Sequence, residues 1–185
     1  MSDRRRIQAL LRSYRGVVPK VPESVFLADS VSVIGEVTLG ERVNIWYGSV
    51  LRGDVGRIEI GEESNIQDLC CLHMTKHRSH TLIGTRVSIG HGAIIHGAQI
   101  EDEALIGMGV CLMDNVRVGA QSIVGAGTLV TGDTVIPPRS LVLGRPGKVI
   151  RRLAEEECQA GLKTSQRYLG LAEDHRLSEV IERES

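Results

Sequence analysis

The sequence predicts an all-β fold, a parallel β-helix of triangular cross-section followed by a C-terminal α-helix. Three observations predict it. Aliphatic residues recur every six positions over most of the 185-residue chain. Small or β-branched residues stand four positions after each of them, as at Val31, Val37, Val43 and Ser49. Aromatic residues are scarce, with one Phe, one Trp and three Tyr beside 21 Gly, so the core is narrow and aliphatic. A period of six matches neither an α-helix nor a plain strand alternation. It suits a solenoid in which each hexad is one short strand and a turn, three hexads to a coil, with the aliphatic residue inward.

Taken in order, residues 1–26 read as a lead-in. Residues 3–14 suit a short amphipathic helical turn or a segment lying along the surface, and the prolines at 19 and 22 keep the next stretch extended. Residues 27–147 form the β-helix. Leu27, Val33, Leu39, Ile45 and Leu51 fall six apart; the phase slips by three and resumes at Ile60, Ile66 and Leu72. After a longer excursion it returns at Ile83 and Ile89, takes a step of five to Ile94, and holds from Ile100 through Val142. About nineteen hexads give roughly six coils. Glycine after the aliphatic residue, as at Gly84, Gly90, Gly107, Gly119 and Gly125, permits a tight corner or a close backbone approach. Residues 148–185 turn helical and charged, and are expected to fold back along the prism and cap its end, hiding exposed strand edges.

Composition excludes several classes of partner. A formal net charge of -1 gives no global field toward nucleic acid or an anionic membrane. The start carries Arg4-Arg5-Arg6 but lacks the apolar run of a secretion signal, and no stretch of 18 apolar residues occurs. Cys70, Cys71, Cys111 and Cys158 show neither a CxxC pair nor a framework spacing, and read as free, mostly buried thiols of a cytoplasmic protein.

Counting hexads three to a coil, with the slips placed at corners, stacks those starting at Leu51, Leu72 and Ile94 on one face. They carry Arg52, His73 and His96. Neighbouring strands lie about 4.8 Å apart, so His73 and His96 can converge on one ion. His91 falls on a different face, with Gln67 and Asp68. Five extended residues span up to roughly 16 Å, whereas nitrogens on one zinc ion lie within about 4 Å of each other. A single chain therefore does not bring His91 to the other two. A neighbouring chain does, if that face of one prism packs on the His73/His96 face of the next, an arrangement that closes as a threefold ring.

These motifs resemble the gamma-class carbonic anhydrase-like branch of the left-handed parallel β-helix superfamily, whose hexapeptide repeat the stretch 27–147 shares. The family's Arg-x-Asp stands here as Arg52-Gly53-Asp54, and its Asn-x-Gln-Asp as Asn65-Ile66-Gln67-Asp68. Its first metal histidine stands as His73, and its paired ligands as His91 and His96 of HGAIIH. The resemblance implies a left-handed coil and a homotrimer with metal sites at subunit interfaces, two histidines coming from one subunit and the third from its neighbour. It also implies hydration of CO2 to bicarbonate. Three imidazoles accept Zn2+, and also Fe2+ or Co2+.

Physical need suggests the roles. The ion lowers the pKa of its water to about 7, and Gln67 is suited to orient the nucleophile toward CO2. Arg52 is suited to bridge Asp54 and the neighbour's Asp68, or to attract bicarbonate; a purely structural ion network is equally open. Asn65 belongs to the same motif, and Tyr168 is a candidate pocket residue because some relatives reach over a neighbour's metal from this part of the tail. Trp46 and Tyr47 read as packing. His77, His80 and His175 read as solvated. Two departures from the active members point to slow turnover: Val55 replaces a glutamate, and the loop Thr75–Thr81 is basic where theirs is acidic, so a proton shuttle is missing. The rival readings are an acyl-CoA-dependent hexapeptide acyltransferase, which needs a single histidine base, and a non-catalytic metal-binding trimer serving as a scaffold or thioester-handling partner.

Overall fold

Most hexads yield a strand of two or three residues, such as Asn65–Ile66, Ser88–Ile89 or Leu105–Ile106, and then a corner. One aliphatic residue per strand points inward, and Ile45, Leu51, Ile66, Leu72, Ile89, Ile106 and Leu112 are wholly buried. The computed structural model describes residues 8–178, and over them successive coils pair in parallel. The result is a left-handed parallel β-helix with three faces. Face one stacks Val50, Cys71, Ile94, Cys111 and Leu129 in register. Face two stacks Glu59, Leu82, Gln99, Arg117 and Val135. Face three stacks Phe26, Asn44, Asn65 and Ser88, and continues through Leu105, Ile123 and Leu141.

The corners carry a cost. Along one edge Arg42, Glu63, Arg86, Glu103, Gln121 and Arg139 all adopt positive φ, between 52° and 59°, a region that L-residues enter with strain. Their side chains offset it by pairing from coil to coil. Arg42 bonds Glu63 at 2.7 Å, Arg86 bonds Glu103 at 2.8 Å, Gln121 donates to Glu103 at 2.9 Å, and Arg139 donates to Gln121 at 3.0 Å. Glycines after the aliphatic residue answer a different need. A Cβ on Gly90 would lie 2.7 Å from the Met108 nitrogen, so there the coils approach too closely for any side chain.

Two phase slips have distinct structural forms. Between Gly35↔Gly53 and Val37↔Ile58 the strand Val50–Ile60 gains three residues over its neighbour Ser32–Leu39. That bulge carries Asp54 outward beside Arg52, while Val55 is partly buried and packs against the core. The other slip corrects the expected register. Ile94 is 46% exposed, whereas Ile95 is 0% exposed and pairs with Leu72. The five-residue step therefore falls after Ile95, where Gly97 takes φ 66° at the corner, not before Ile94. Face one now repeats cleanly: Arg52, His73 and His96 each follow the inward residue directly.

The ends also differ from expectation. Within the lead-in, Leu10–Arg12 is a strand paired with Ser32–Ile34, because the edge of face one offers unmet backbone partners. The last strand, Gly147–Arg152, pairs antiparallel with Ser140–Gly144 and covers face three's final edge. The C-terminal helix, Ala160–Leu177, lies along face three and does not cap the prism. Its buried positions are Gly161, Ser165, Tyr168 and Ala172. Three are small, so its backbone rides close on the coils: a Cβ on Gly161 would come 2.0 Å from the Glu103 carbonyl oxygen. Among the described residues no helix is long and apolar enough to cross a membrane. All four cysteines are free; Cys70 and Cys158 are buried, but Cys71 is exposed, against the expectation of mostly buried thiols.

The corner ladder predicts acid sensitivity. Gln121 and then Arg86, donating to Glu103, hold its carboxyl below its ordinary value of 4.5, outweighing the opposing effect of burial. Such a group stabilises the fold above the unfolded pKa and stops doing so as pH falls through the lowered value. Denaturant unfolding should show wild type losing about 1 kcal/mol more than Glu103→Gln between roughly pH 5 and pH 3. Equal losses in the two proteins would contradict the ladder's role.

Candidate functional site

Face one's outward surface carries two rows. Val50, Cys71, Ile94, Cys111 and Leu129 form an apolar row, with Cys71 and Ile94 exposed. Beside it Arg52, His73 and His96 point out from the same strands, and Met113 follows the next strand directly. His73 and His96 pair directly, with ring centroids 5.4 Å apart. Arg52 donates to Asp54 Oδ2 at 2.6 Å, and Asp54 Oδ1 lies 3.0 Å from His73 Nε2. Burial alone would raise the Asp54 carboxyl, but bonds from Arg52 and His73 overcome it and hold the group below the usual carboxylate range. Burial lowers the His73 pKa, with Arg52 adding to it against the opposing pull of Asp54, so the ring favours its neutral, metal-binding form.

Asp114 has no motif around it, and sequence reasoning missed it. It lies on the next coil, with its Oδ1 3.3 Å from His96 Nδ1. It also accepts from Thr75 Oγ1 at 2.8 Å and from Ser79 Oγ, which pins the loop between His73 and Thr81. Burial raises its carboxyl, yet Ser79 and Thr75 together bring it below the ordinary range. No spacing rule links residues 75, 79, 96 and 114; only stacking of coils does.

The second group lies where face three turns into face one. His91 Nδ1 is 2.7 Å from Asp68 Oδ2, an arrangement that fixes the tautomer and leaves Nε2 outward. That Nε2 lies 3.3 Å from the Tyr168 hydroxyl, delivered by the C-terminal helix. Burial raises the Tyr168 pKa, so the phenol keeps its proton. Gln67 is buried and donates Nε2–H to Asn65 Oδ1 at 3.2 Å, while Asn65 donates to Ser88 Oγ at 2.8 Å. Asn65 is wholly buried under the helix, so it positions Gln67 and does not face the site.

The structure thus sorts the expected site residues into two sets. Arg52, Asp54, His73 and His96 share face one; Gln67, Asp68, His91 and Tyr168 share the corner, with Asn65 beneath them. Among the described residues no group of three or more His, Cys, Asp or Glu is placed within one chain to hold a metal ion. The expected packing partner on face three also changes, because the helix lies against Asn44–Ile45, Ser88–Ile89 and Leu105–Ile106 of that face and leaves the edge at Asp68 and His91 partly open. Trp46 packs as expected, whereas Tyr47 is 39% exposed. Trp46 is buried against Phe26 and Tyr168 at 5.2 and 5.3 Å between ring centroids, and its Nε1–H donates to Asn44 at 2.8 Å. His175 is a correction: it is half-buried, 4.9 Å from the Trp46 ring, and bonded to the Tyr47 hydroxyl at 3.0 Å. His77 and His80 are exposed in the loop, and His80 Nδ1 accepts the Arg57 backbone N–H at 3.2 Å.

Stacked hexads, a histidine pair on one face and a third histidine at the corner define a hexapeptide-repeat β-helix protein with a metal-type donor set. The family pattern described as bacterial transferase hexapeptide (six repeats) matches residues 97–132. A probable carbonic anhydrase of Methanocaldococcus jannaschii is 46% identical over 83% of this chain and 96% of its own length. The mitochondrial gamma carbonic anhydrase 2 of Arabidopsis thaliana is 43% identical over 85% of this chain, which spans 58% of that protein's length. A solved Bacillus cereus structure described as a putative acetyltransferase is 36% identical, with a TM-score of 0.89 over 91% of this chain and 98% of that one. This chain belongs to the gamma-class carbonic anhydrase-like family of hexapeptide-repeat proteins.

The Asp114 contacts predict a measurable change in the loop. Lys76 and Arg78 are exposed within it, and Asp114→Ala removes the carboxylate that holds Thr75 and Ser79. Native-state trypsin should cleave after Lys76 or Arg78 about tenfold faster in this variant, with a smaller gain in Asp114→Asn. An unchanged cleavage rate would show that the loop is held by other contacts.

Proposed function

We propose that the chain acts as a homotrimer that hydrates CO2 to bicarbonate at metal sites shared between subunits. The observation that carries the reading is the division of imidazoles. His73 and His96 stand in register on one face, while His91 stands round a corner. The donor set fits a zinc-type ion. Asp68 takes the Nδ1 side of His91 and Asp114 lies on the Nδ1 side of His96; the far nitrogen of His96 is left to bind, and that of His91 has the Tyr168 hydroxyl before it at 3.3 Å, a contact that an ion would replace. His73, held by Asp54 through Nε2, has Nδ1 left.

The apolar row on face one supports the trimer. A monomer would expose Ile94 and Cys71 beside the histidines, whereas face two is mostly polar and face three is covered by the helix. Packing that row against a neighbour's Asp68–His91 edge brings the third imidazole to the pair, and lets the neighbour's Asp68 approach Arg52.

Bound there, Zn2+, or Fe2+ or Co2+ in its place, would supply a Lewis acid that acidifies water near neutral pH. The chain's own residues would do the rest. Gln67, its amide nitrogen spent on Asn65, presents its oxygen as an acceptor that orients the attacking O–H. Tyr168 closes the helix side of the site with a protonated hydroxyl. Arg52, steadied by Asp54, offers a positive charge to the anionic product. Each turnover also releases a proton, and Val55 and the basic loop give it no carboxylate to leave by, so the rate is low for the family. Four unpaired thiols fit a reducing compartment such as the cytoplasm.

Purified protein should sediment as a trimer and carry about one ion per chain by elemental analysis. His91→Ala should lose that ion while keeping the fold by circular dichroism. Full occupancy in His91→Ala would refute the shared cage. Acetyl transfer from labelled acetyl-CoA by metal-free protein would favour an acyltransferase instead.

A further inference from the structure

The C-terminal helix does not touch face three along its whole length. Near Gly161 the two backbones meet, but around Thr164, Arg167 and Tyr168 the helix stands off from the stacked residues Gly90 and Gly107. The gap is a cleft of about 260 Å3. The side chains of Leu105 and Met108 make its wall apolar, and Gln67 and His91 also line it. Two observations make it more than a packing defect. A water-sized molecule takes about 30 Å3, and CO2 little more, so the space far exceeds what hydration needs. At its rim Arg167 is exposed, its guanidinium 5.7 Å from the centre of the Tyr168 ring, and among the described residues it forms no ion pair.

A cation over an apolar slot selects an anion with an apolar tail. We propose that this cleft binds a small organic carboxylate, its head on Arg167 and a short alkyl chain along Leu105 and Met108. It adjoins the proposed metal ligand His91, and in that respect the inference rests on the metal reading. The site then handles an anion larger than bicarbonate, as substrate or as a competitor for the same mouth. Neutral and cationic molecules of equal length gain the apolar contact without the guanidinium, or meet its repulsion. Met108, though exposed, gains a function as the outer wall of the slot.

The test uses the purified, metal-loaded protein, with metal content measured on every sample. Acetate, butyrate, hexanoate and butylamine are titrated by ligand-observed NMR. Affinity should rise by up to about fourfold for each methylene that enters the cleft, and butylamine should not bind. Arg167→Gln should weaken butyrate by about tenfold without changing metal content or melting temperature. Ala126→Leu, at an exposed position on the rim, should flatten the dependence on chain length. Metal-loaded protein that ignores butyrate, binds butylamine equally, or is indifferent to Arg167→Gln would overturn the carboxylate site and leave the metal reading standing. Protein that carries no metal yet binds butyrate through Arg167 would overturn the metal reading and keep the carboxylate site.

Discussion

The stacking of one coil on the next constrains everything else in this molecule. Each hexad contributes one backbone rung to a face, and each face accepts one outward row per strand position. Residues on the same row of adjacent coils must meet, as His73 meets His96. Residues on different faces must diverge, since the corner between them turns the chain outward. Chemistry that needs several convergent groups is therefore restricted to one row, unless a second molecule supplies the remainder. The family's metal-type motif falls on both sides of a corner, so among the described residues of one chain its three histidines do not converge.

Departures from the regular repeat build the local surroundings of the histidines. The three extra residues after Gly53 lift Asp54 to a position where it bonds both Arg52 and His73. The loop after His73 bends back to Asp114. The helix lowers Tyr168 onto the corner beside His91, and it can lie that close because Gly161, Ser165 and Ala172 put so little between the backbones. The solenoid gives rigid rows and the corners that carry Asp68 and Asp114, and its interruptions add Asp54 and the Tyr168 phenol beside the rings.

Much of this was legible in the sequence because a period of six has few physical solutions. The coil, the face assignment of His73 and the separation of His91 all follow from counting. Counting failed by one residue at Ile94 and Ile95, since two adjacent isoleucines satisfy the pattern equally and only burial separates them. The strand at Leu10–Arg12 was hidden because short edge pairing has no periodic signature. Asp114 and His175 were invisible for a related reason. Their partners lie on other coils or on another element, so neither composition nor local spacing records them. Asn65, expected with its motif among the site residues, lies beneath them, because a C-terminal helix can be foreseen while its seat on face three cannot.

The shared cage is tested most directly by mixing chains that each lack a different imidazole. His73→Ala and His91→Ala chains, each unable to load as pure trimers, are unfolded together and refolded. Every ring of mixed composition then contains one junction at which an intact His73/His96 face meets an intact His91 edge. The account predicts one ion in each mixed trimer and none in the unmixed controls. Mixed trimers that bind no metal would contradict it, because a cage built wholly within one chain cannot be rescued by a neighbour.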